Sequence, residues 1–526
     1  MVTRPASVAH LARRVERLYP HRLAGEDLDG RKQTVAELRD RSNRLANGLL
    51  GSGIRFGESV AVITYNRIEY MELDFGLAKA GIVKVPLNFR LLPGELFTAM
   101  KMARVKAIIA DVDAAFSLDG VDTVLDRPLL IAIGGKVPGW LAYEEFLSRG
   151  STRDPGAEPG AEDVYQIRFT SGSTGMPKGV ITSHIGARAA ILGNLWVLTT
   201  QGNVAAPRTL QQGPVVMTSG WTLMPTLLMG GTNVFMTRFD PELVIDVMVD
   251  RHIHWSVAVP TMLRRLAEAP NVARLRQSFL ECLCYGGEAA PIAAIATLLE
   301  HTNSLVQAYG QTEAPSWTAY VGRADHANEK LWASCGKSIP DADYAFFDES
   351  STAITEPGKV GHMAYKGPNI TMGLLGGEDE YKQRLTADGW WLTGDAAMFD
   401  ENGFIFIVDR LSQVIISGGT NIYPAEIERV LEEHPAVVEA VVVGVPDERW
   451  GETPAALLYA PDLAEEQLEQ MQDWLRGRTA SFKRPRYLFL SKQPLPRRGI
   501  ESKISRKDVK EEIRRRVMQG TQSPKP

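Results

Sequence analysis

Between residues 34 and 110 the chain repeatedly exchanges one periodicity for another. Helical patterns such as TVAELRDRSNRLANGLL give way to short β-branched runs such as SVAVIT and KAIIA. Alternation of this kind predicts parallel α/β layers. At 526 residues the chain is too long for a single core, so at least two domains are expected. A Gly/Pro/acid-rich stretch, STRDPGAEPGAED at 151–163, separates subdomains. Further alternation runs to about residue 345, and a β-rich part covers 343–410. After Arg410 the style changes to a compact α+β unit with a helix opened by Pro424, the strand VVEAVVVGV and a long charged helix near 463–478. Proline at the first helical position needs no donor, and the glutamates that follow suit the positive helix end. The expected fold is therefore α/β: a large N-terminal domain (1–410) of layered α/β subdomains plus a β-rich subdomain, and a small mobile C-terminal domain (411–526). Residues 410–413 form a natural hinge, and the polar tail from Met518 is expected to be disordered.

Composition removes several function classes. A net charge of -5 gives no electrostatic case for nucleic acid or an anionic membrane surface. No apolar run reaches the roughly 18 residues that span a bilayer, and the N-terminus lacks the apolar segment of a signal peptide. A cytoplasmic protein is expected. Three cysteines cannot build a disulfide framework. Cys282 and Cys284 alternate in ECLCY as on a buried strand, and no partners stand at metal-ligand spacing. His252 and His254 read as structural or solvated, so no metal is held by protein side chains alone.

The chemistry concentrates in Phe169 to Gly179, FTSGSTGMPKG. An incipient strand, DVYQIRF, runs into Thr170, Ser171, Gly172, Ser173, Thr174 and Gly175 and closes on Lys178. Glycines turn backbone amides toward an anion, hydroxyls add donors and the lysine adds charge, which together make a phosphate cradle. It is not a Walker A loop, since no G-K-[S/T] follows at the required spacing. A flexible surface loop is the bland alternative.

FTSGSTGMPKG resembles the phosphate-binding signature of the adenylate-forming (ANL) superfamily, and other motifs of that family follow in order. YGQTE (Tyr309 to Glu313) is similar to its adenine and phosphate motif, TGD ending at Asp395 to its ribose motif, and DR at Asp409 and Arg410 to its domain junction. GGTNIYPAEIE, from Gly418, is similar to its pantetheine-side segment. The resemblance is closest to the acyl-CoA synthetase branch and covers nearly the whole chain. It implies adenine stacking on Tyr309, an α-phosphate contact from Thr312, Mg²⁺ held by Glu313 together with phosphates, and ribose contacts from Asp395 and Arg410. Gly286, Gly287 and Glu288, in YGGEA, would flank the adenosine, with the glycines letting backbone approach closely. The implied reactions are adenylation of an acid by ATP, then thioester formation with coenzyme A. A lysine, matched here by Lys503, acts in the first step, and the C-terminal domain rotates about Ser412 before the second, bringing Gly418 and Gly419 to the pantetheine.

Three departures from the family pattern stand out. The lysine loop, LPRRGIESK, is one residue longer than usual and has Ser502 in place of glycine. One extra residue can shift a side chain by up to ~3.5 Å. Ser412 occupies a hinge position usually held by Asp or Lys. The stretch QQGPVVMTSGW (211–221) lacks the histidine that many relatives carry near the acid's carboxylate. The expected acid pocket is apolar, with Val216, Thr218, Trp221 and Trp317, which suits a hydrophobic acid.

The leading expectation is an acyl-CoA ligase using ATP, Mg²⁺ and coenzyme A on a small-molecule carboxylic acid. One alternative is a ligase with weak adenylation that thioesterifies a supplied acyl-adenylate, working with a separate adenylating enzyme. Another is a stand-alone adenylation enzyme loading a carrier protein. An amino-acid activator would need a buried acid for the ammonium, and 211–237 contains no Asp or Glu. A binding protein that has lost catalysis but still senses nucleotide is the remaining class, and a homodimer stays open.

Overall fold

The computed structural model describes residues 6–170, 177–217, 219–288, 290–418, 420–498 and 503–518. The chain divides into two compact units, Met1–Tyr344 with Tyr365–Trp391, and Ala345–Ala364 with Leu392–Pro526. Compactness thus groups residues 392–410 with those that follow, whereas the motif junction in the sequence lies at Arg410.

The first unit holds two large sheets. One has parallel strands Val83–Pro86, Ser59–Ile63, Ala107–Asp111 and Leu129–Ile133 side by side, the β-branched runs that the sequence marked. Its other flank is an antiparallel hairpin, Val164–Thr170 with Lys178–Ser183, continued by Gly373–Leu375. In the other sheet Thr232–Phe235, Arg208–Gln211, Trp255–Ala258, Cys282–Gly286 and Leu305–Tyr309 run parallel. Cys282 and Cys284 are buried on their strand, and burial pushes both thiols up; Cys335 is buried too. His254 accepts the Arg208 N–H at 3.0 Å, and His252 packs its ring at a tilt 4.3 Å from that of Phe279, so both histidines serve the fold.

The helix Glu69–Ala80 is buried along its entire length although it carries Glu69, Glu72, Asp74 and Lys79. A buried charge without a partner is strongly destabilising, and each of these has one. Arg31 at 2.7 Å and Arg67 at 2.8 Å hold Glu69; burial alone would raise its pKa, but the two guanidiniums bring it down to about 2. Glu72 receives Arg41, Gln33 and the Tyr143 hydroxyl at 2.6–2.8 Å. Lys79 donates to Glu16 at 2.5 Å and to Asn43 and Ser42. Asp74 pairs with Lys84 and accepts the Tyr165 hydroxyl at 2.7 Å.

The second unit contains the antiparallel strands Glu439–Asp447 and Gly451–Tyr459, with Tyr487–Ser491 added parallel to the latter. The helix Pro424–Glu432 begins at the proline, and Asp409 accepts its Ala425 N–H at 2.8 Å. The charged helix is shorter than expected, Leu468–Arg476, because Glu465–Gln467 winds as a 3₁₀ turn and Gly477 closes the other end. The last described helix is Arg506–Met518, and the tail beyond it lies outside the described residues.

His184 opens the long helix His184–Thr200 and accepts the Val8 N–H at 3.3 Å, which ties the N-terminal helix Val8–Leu18 to the core. Burial pushes its pKa down to about 4. Below the ordinary histidine value the unfolded chain takes up a proton that the folded one refuses. This contribution is therefore full above about pH 6.5 and is lost as pH falls toward 4, by up to about 1.4 kcal/mol per pH unit. Thermal melts should lose more stability in the wild type than in His184→Gln over that window. Parallel pH profiles would show that the folded imidazole protonates freely.

Candidate active site

The hairpin Val164–Thr170/Lys178–Ser183 sets Thr170 opposite Lys178 as backbone partners. The phosphate motif is thus a hairpin connection; Ser171, Gly172, Ser173, Thr174 and Gly175 lie outside the described residues. Leu375 pairs with Gly179, which brings the helix Glu378–Arg384 alongside. From that helix Glu380 reaches Lys178 in a close ion pair, and Arg384 lies 2.9 Å from the same carboxylate. Both members of the pair keep partial exposure, 14% for Lys178 and 25% for Glu380. Glu380 stands 202 residues from Lys178, so no local spacing could have revealed it. The only cue was a helix whose first turn holds three acids.

The ends of two adjacent parallel strands carry the next group. Gly286 closes Cys282–Gly286, and a Cβ there would stand 2.0 Å from the Ala308 carbonyl oxygen, so the neighbouring strand itself requires the glycine. Gly287 has φ +90°, open to residues without a side chain, and Glu288 follows half-buried. Tyr309 ends Leu305–Tyr309 with its ring 6.2 Å from that of Tyr344. Thr312 and Glu313 are half-buried in the loop beyond, where the Glu313 carbonyl accepts the Thr371 N–H at 2.7 Å. The described residues include no cluster of three His, Cys, Asp or Glu able to hold a metal. A cation at Glu313 would have to draw most of its oxygens from substrate phosphates, as Mg²⁺ ordinarily does.

The loop closes tightly: a Cβ at Gly310 would fall 1.7 Å from the Ser316 carbonyl oxygen, and Ser316 has φ +90°. Asn194, fully buried on the helix His184–Thr200, anchors it. Its Oδ1 accepts the Trp317 N–H at 3.1 Å and the Ser316 hydroxyl, while its Nδ2 donates to the Trp221 carbonyl at 3.2 Å. Trp221 and Trp317 belong to different apolar clusters, Val216 sharing that of Trp221, and Asn194 is the bridge between the two tryptophans. Nothing in the sequence around Asn194 signals this role, because one partner lies 27 residues further along the chain and the others more than a hundred. Thr218 lies outside the described residues.

In the second unit, strands Trp391–Phe399 and Ile405–Arg410 pair Asp395 with Arg410. The Asp395 carboxylate is buried, and Arg410, half-exposed, meets it at 2.9 Å. Asp409 accepts its neighbour's N–H as well as that of Ala425. Ser412 is exposed in the 3₁₀ turn Leu411–Gln413. Gly418 has φ +56°, donates to the Trp450 carbonyl at 2.8 Å and leaves the Trp450 ring the space that a Cβ would fill; Gly419 lies outside the described residues. Lys503 is paired with Arg498 in a short hairpin. Glu439 holds the incoming arm through Arg497 and the Leu495 N–H. Arg506 secures the outgoing arm, forking onto Glu428 with two contacts of 2.6 Å and reaching the Val442 carbonyl. Burial would lower the Arg506 pKa, but Glu428 outweighs it and the net shift is upward.

Known proteins resemble this chain along nearly its whole length. A family model described as AMP-binding enzyme matches residues 11–375, and one described as AMP-binding enzyme C-terminal domain matches 426–499. The chain is 34% identical to a feruloyl-CoA synthase of Amycolatopsis sp. over 95% of its length and 97% of the relative's. It is 31% identical to an indoleacetate–CoA ligase of Aromatoleum aromaticum, with 93% and 94% covered. Among solved structures it superposes on the amide bond synthetase McbA of Marinactinospora thermotolerans with a TM-score of 0.85 at 26% identity, covering 96% and 99%. It also superposes on the o-succinylbenzoate CoA synthetase MenE of Bacillus subtilis, in complex with its acyl-adenylate intermediate, with a TM-score of 0.82 at 26% identity, covering 97% and 99%.

Glu380 already pairs with Lys178, the cation that the sequence motif expects to meet a phosphate. Replacing it, Glu380→Gln, should tighten binding of inorganic pyrophosphate about two- to tenfold, since a partly exposed ion pair is exchanged rather than a buried one. Calorimetric titration checks this, and weaker binding would show that Glu380 orients Lys178 for the anion instead of competing with it.

Proposed function

This chain belongs to the AMP-binding enzyme family and is an enzyme of its acid–CoA ligase branch, and within that branch we propose a hydrophobic, ring-bearing carboxylic acid as its substrate. The observation that carries this reading is a likeness extending along nearly the whole chain to ligases named for aryl acids, joined to the burial of Val216 and Trp221 in one apolar cluster.

In the proposed mechanism Lys178 and the residues from Thr170 to Gly175 bind the ATP phosphates, with Tyr309 against adenine, and Gly286, Gly287 and Glu288 beside the adenosine. Asp395 and Arg410 take the ribose. Glu313 would hold Mg²⁺ together with the phosphates, and the ion would neutralise charge there. The acid's carboxylate displaces pyrophosphate in line, giving the acyl-adenylate, with Thr312 and Lys503 stabilising charge that grows on the phosphoryl oxygens. Residues 411–526 then turn about Ser412, and coenzyme A enters past Gly418 and Gly419. Its thiolate attacks the acyl carbon and AMP leaves.

An ordinary two-step ligase is favoured over one that only thioesterifies. Both arms of the lysine hairpin are anchored, at Glu439 and at Glu428, and Lys503 is a backbone partner of Arg498. That supports a lysine kept in register despite the longer loop.

Incubation with a panel of aryl acids, ATP, Mg²⁺ and coenzyme A should release pyrophosphate and form thioester. Lys503→Ala should slow pyrophosphate release about 10²–10³-fold, while thioester formation from a supplied adenylate is largely retained. Consumption of adenylates without acid-dependent pyrophosphate release by the wild type would return the protein to the thioesterifying alternative. Limited proteolysis should cut first near Leu411–Gln413 and free a fragment of about 12 kDa, because an exposed turn with few contacts opens easily. First cutting elsewhere would move the domain boundary.

A further inference from the structure

Within the first unit, two segments meet on one buried side chain. The stretch 211–222 carries Val216 and Trp221, and the loop 310–317 carries Thr312 and Glu313. Buried Asn66 holds the start of the stretch: its Nδ2 donates to the carbonyls of Gln211 at 2.9 Å and Gly213 at 2.7 Å, and its Oδ1 accepts the Val215 N–H at 2.9 Å. A Cβ at Gly220 would lie 2.0 Å from the Val215 carbonyl oxygen, so the stretch is folded closely on itself. The loop has its own anchors. Thr371 donates its N–H to the Glu313 carbonyl at 2.7 Å, and Asn369 donates its Nδ2 to the Pro315 carbonyl at 2.6 Å. Asn194 joins the two segments, accepting from Ser316 and Trp317 through Oδ1 and donating to the Trp221 carbonyl through Nδ2.

We propose that Asn194 is a positioning residue for adenylation, fixing the distance between the acid's wall at Trp221 and the phosphate contacts at Thr312 and Glu313. This rests on the acid–CoA ligase reading, with Trp221 at the acid and Thr312 at the α-phosphate. In that reaction a carboxylate oxygen bonds to the α-phosphorus while the bond from that phosphorus to pyrophosphate breaks. Two separately bound molecules must therefore meet in line. A misplacement of about 1 Å can cost about 10²-fold. Asn194 stands in the helix His184–Thr200, and a side chain on a helix is held more precisely than one on a loop. Its planar amide supplies an acceptor and a donor at a fixed separation; a hydrocarbon of the same size offers neither. The tether matters while acid and ATP are separate molecules. Once the acyl-adenylate has formed, its own covalent bond sets that distance, and thioester formation no longer depends on Asn194.

The two half-reactions, measured separately on the full-length protein, test this. The acid is the member of an aryl-acid panel that the wild type turns over fastest, and the adenylate is made from the same acid. Asn194→Leu should slow acid-dependent pyrophosphate release about 10²-fold, while thioester formation from the supplied adenylate and coenzyme A falls about threefold at most. Asn194→Asp keeps the oxygen that the loop donates to and loses the donor to Trp221. It should show the same split, and it is read alone if the leucine variant does not fold. An asparagine that serves stability alone would lower both half-reactions by one factor, through a smaller folded fraction. Equal losses, a larger loss in thioester formation, or an unchanged rate of pyrophosphate release overturns the proposal while the ligase reading stands. A wild type that releases no pyrophosphate with any acid overturns the proposal and the two-step reading together.

Discussion

A helix can carry four charges into a protein interior only if a partner awaits each one, and the first unit is arranged around that requirement. Around Glu69–Ala80 the partners come from scattered parts of the sequence: Arg31 and Arg41 near the N-terminus, Glu16 from the first helix, Lys84 from a central strand and Tyr165 from the hairpin before the phosphate motif. Each pair fixes the distance between two elements. Removing one member of such a pair typically destabilises by about 3–5 kcal/mol, far more than the pair adds over an apolar replacement. The helix therefore acts less as a source of stability than as a gauge that admits one arrangement of its neighbours. Tyr165 passes that arrangement on to the strand that leads into the phosphate motif.

Much of this architecture was legible because it is periodic. The runs SVAVIT and KAIIA announced parallel strands, Cys282 and Cys284 announced a buried one, and Pro424 marked a helix start that the structure keeps. FTSGSTGMPKG suggests an anion loop from residue types alone, and its centre lies outside the described residues. The partners of these residues were not legible. Glu380 meets Lys178 only because Gly373–Leu375 joins the sheet edge beside it. Asn194 looked like one more residue of a helix, and its role rests on a loop more than a hundred residues later.

Gly286 makes the complementary point. Its lack of a side chain reads from sequence as an invitation to a ligand, yet the carbonyl oxygen of Ala308 on the next strand already claims the space. A glycine at the end of a parallel strand answers to its sheet first. The lysine loop is similar: an extra residue looks disruptive along the chain, yet the strands on either side of it still pair, Arg498 with Lys503.

The three cysteines have a consequence of a practical kind. All are enclosed by the first unit, and burial holds the thiols of Cys282 and Cys284 in the protonated, unreactive form. A thiol-specific dye should therefore find nothing to modify on the native fold. In a mixture containing a small thiol co-substrate, the colour it develops would count that molecule alone. A cysteine engineered onto the surface would likewise take up a fluorophore without competition, leaving the molecule open to single-label spectroscopy with no native residue removed first.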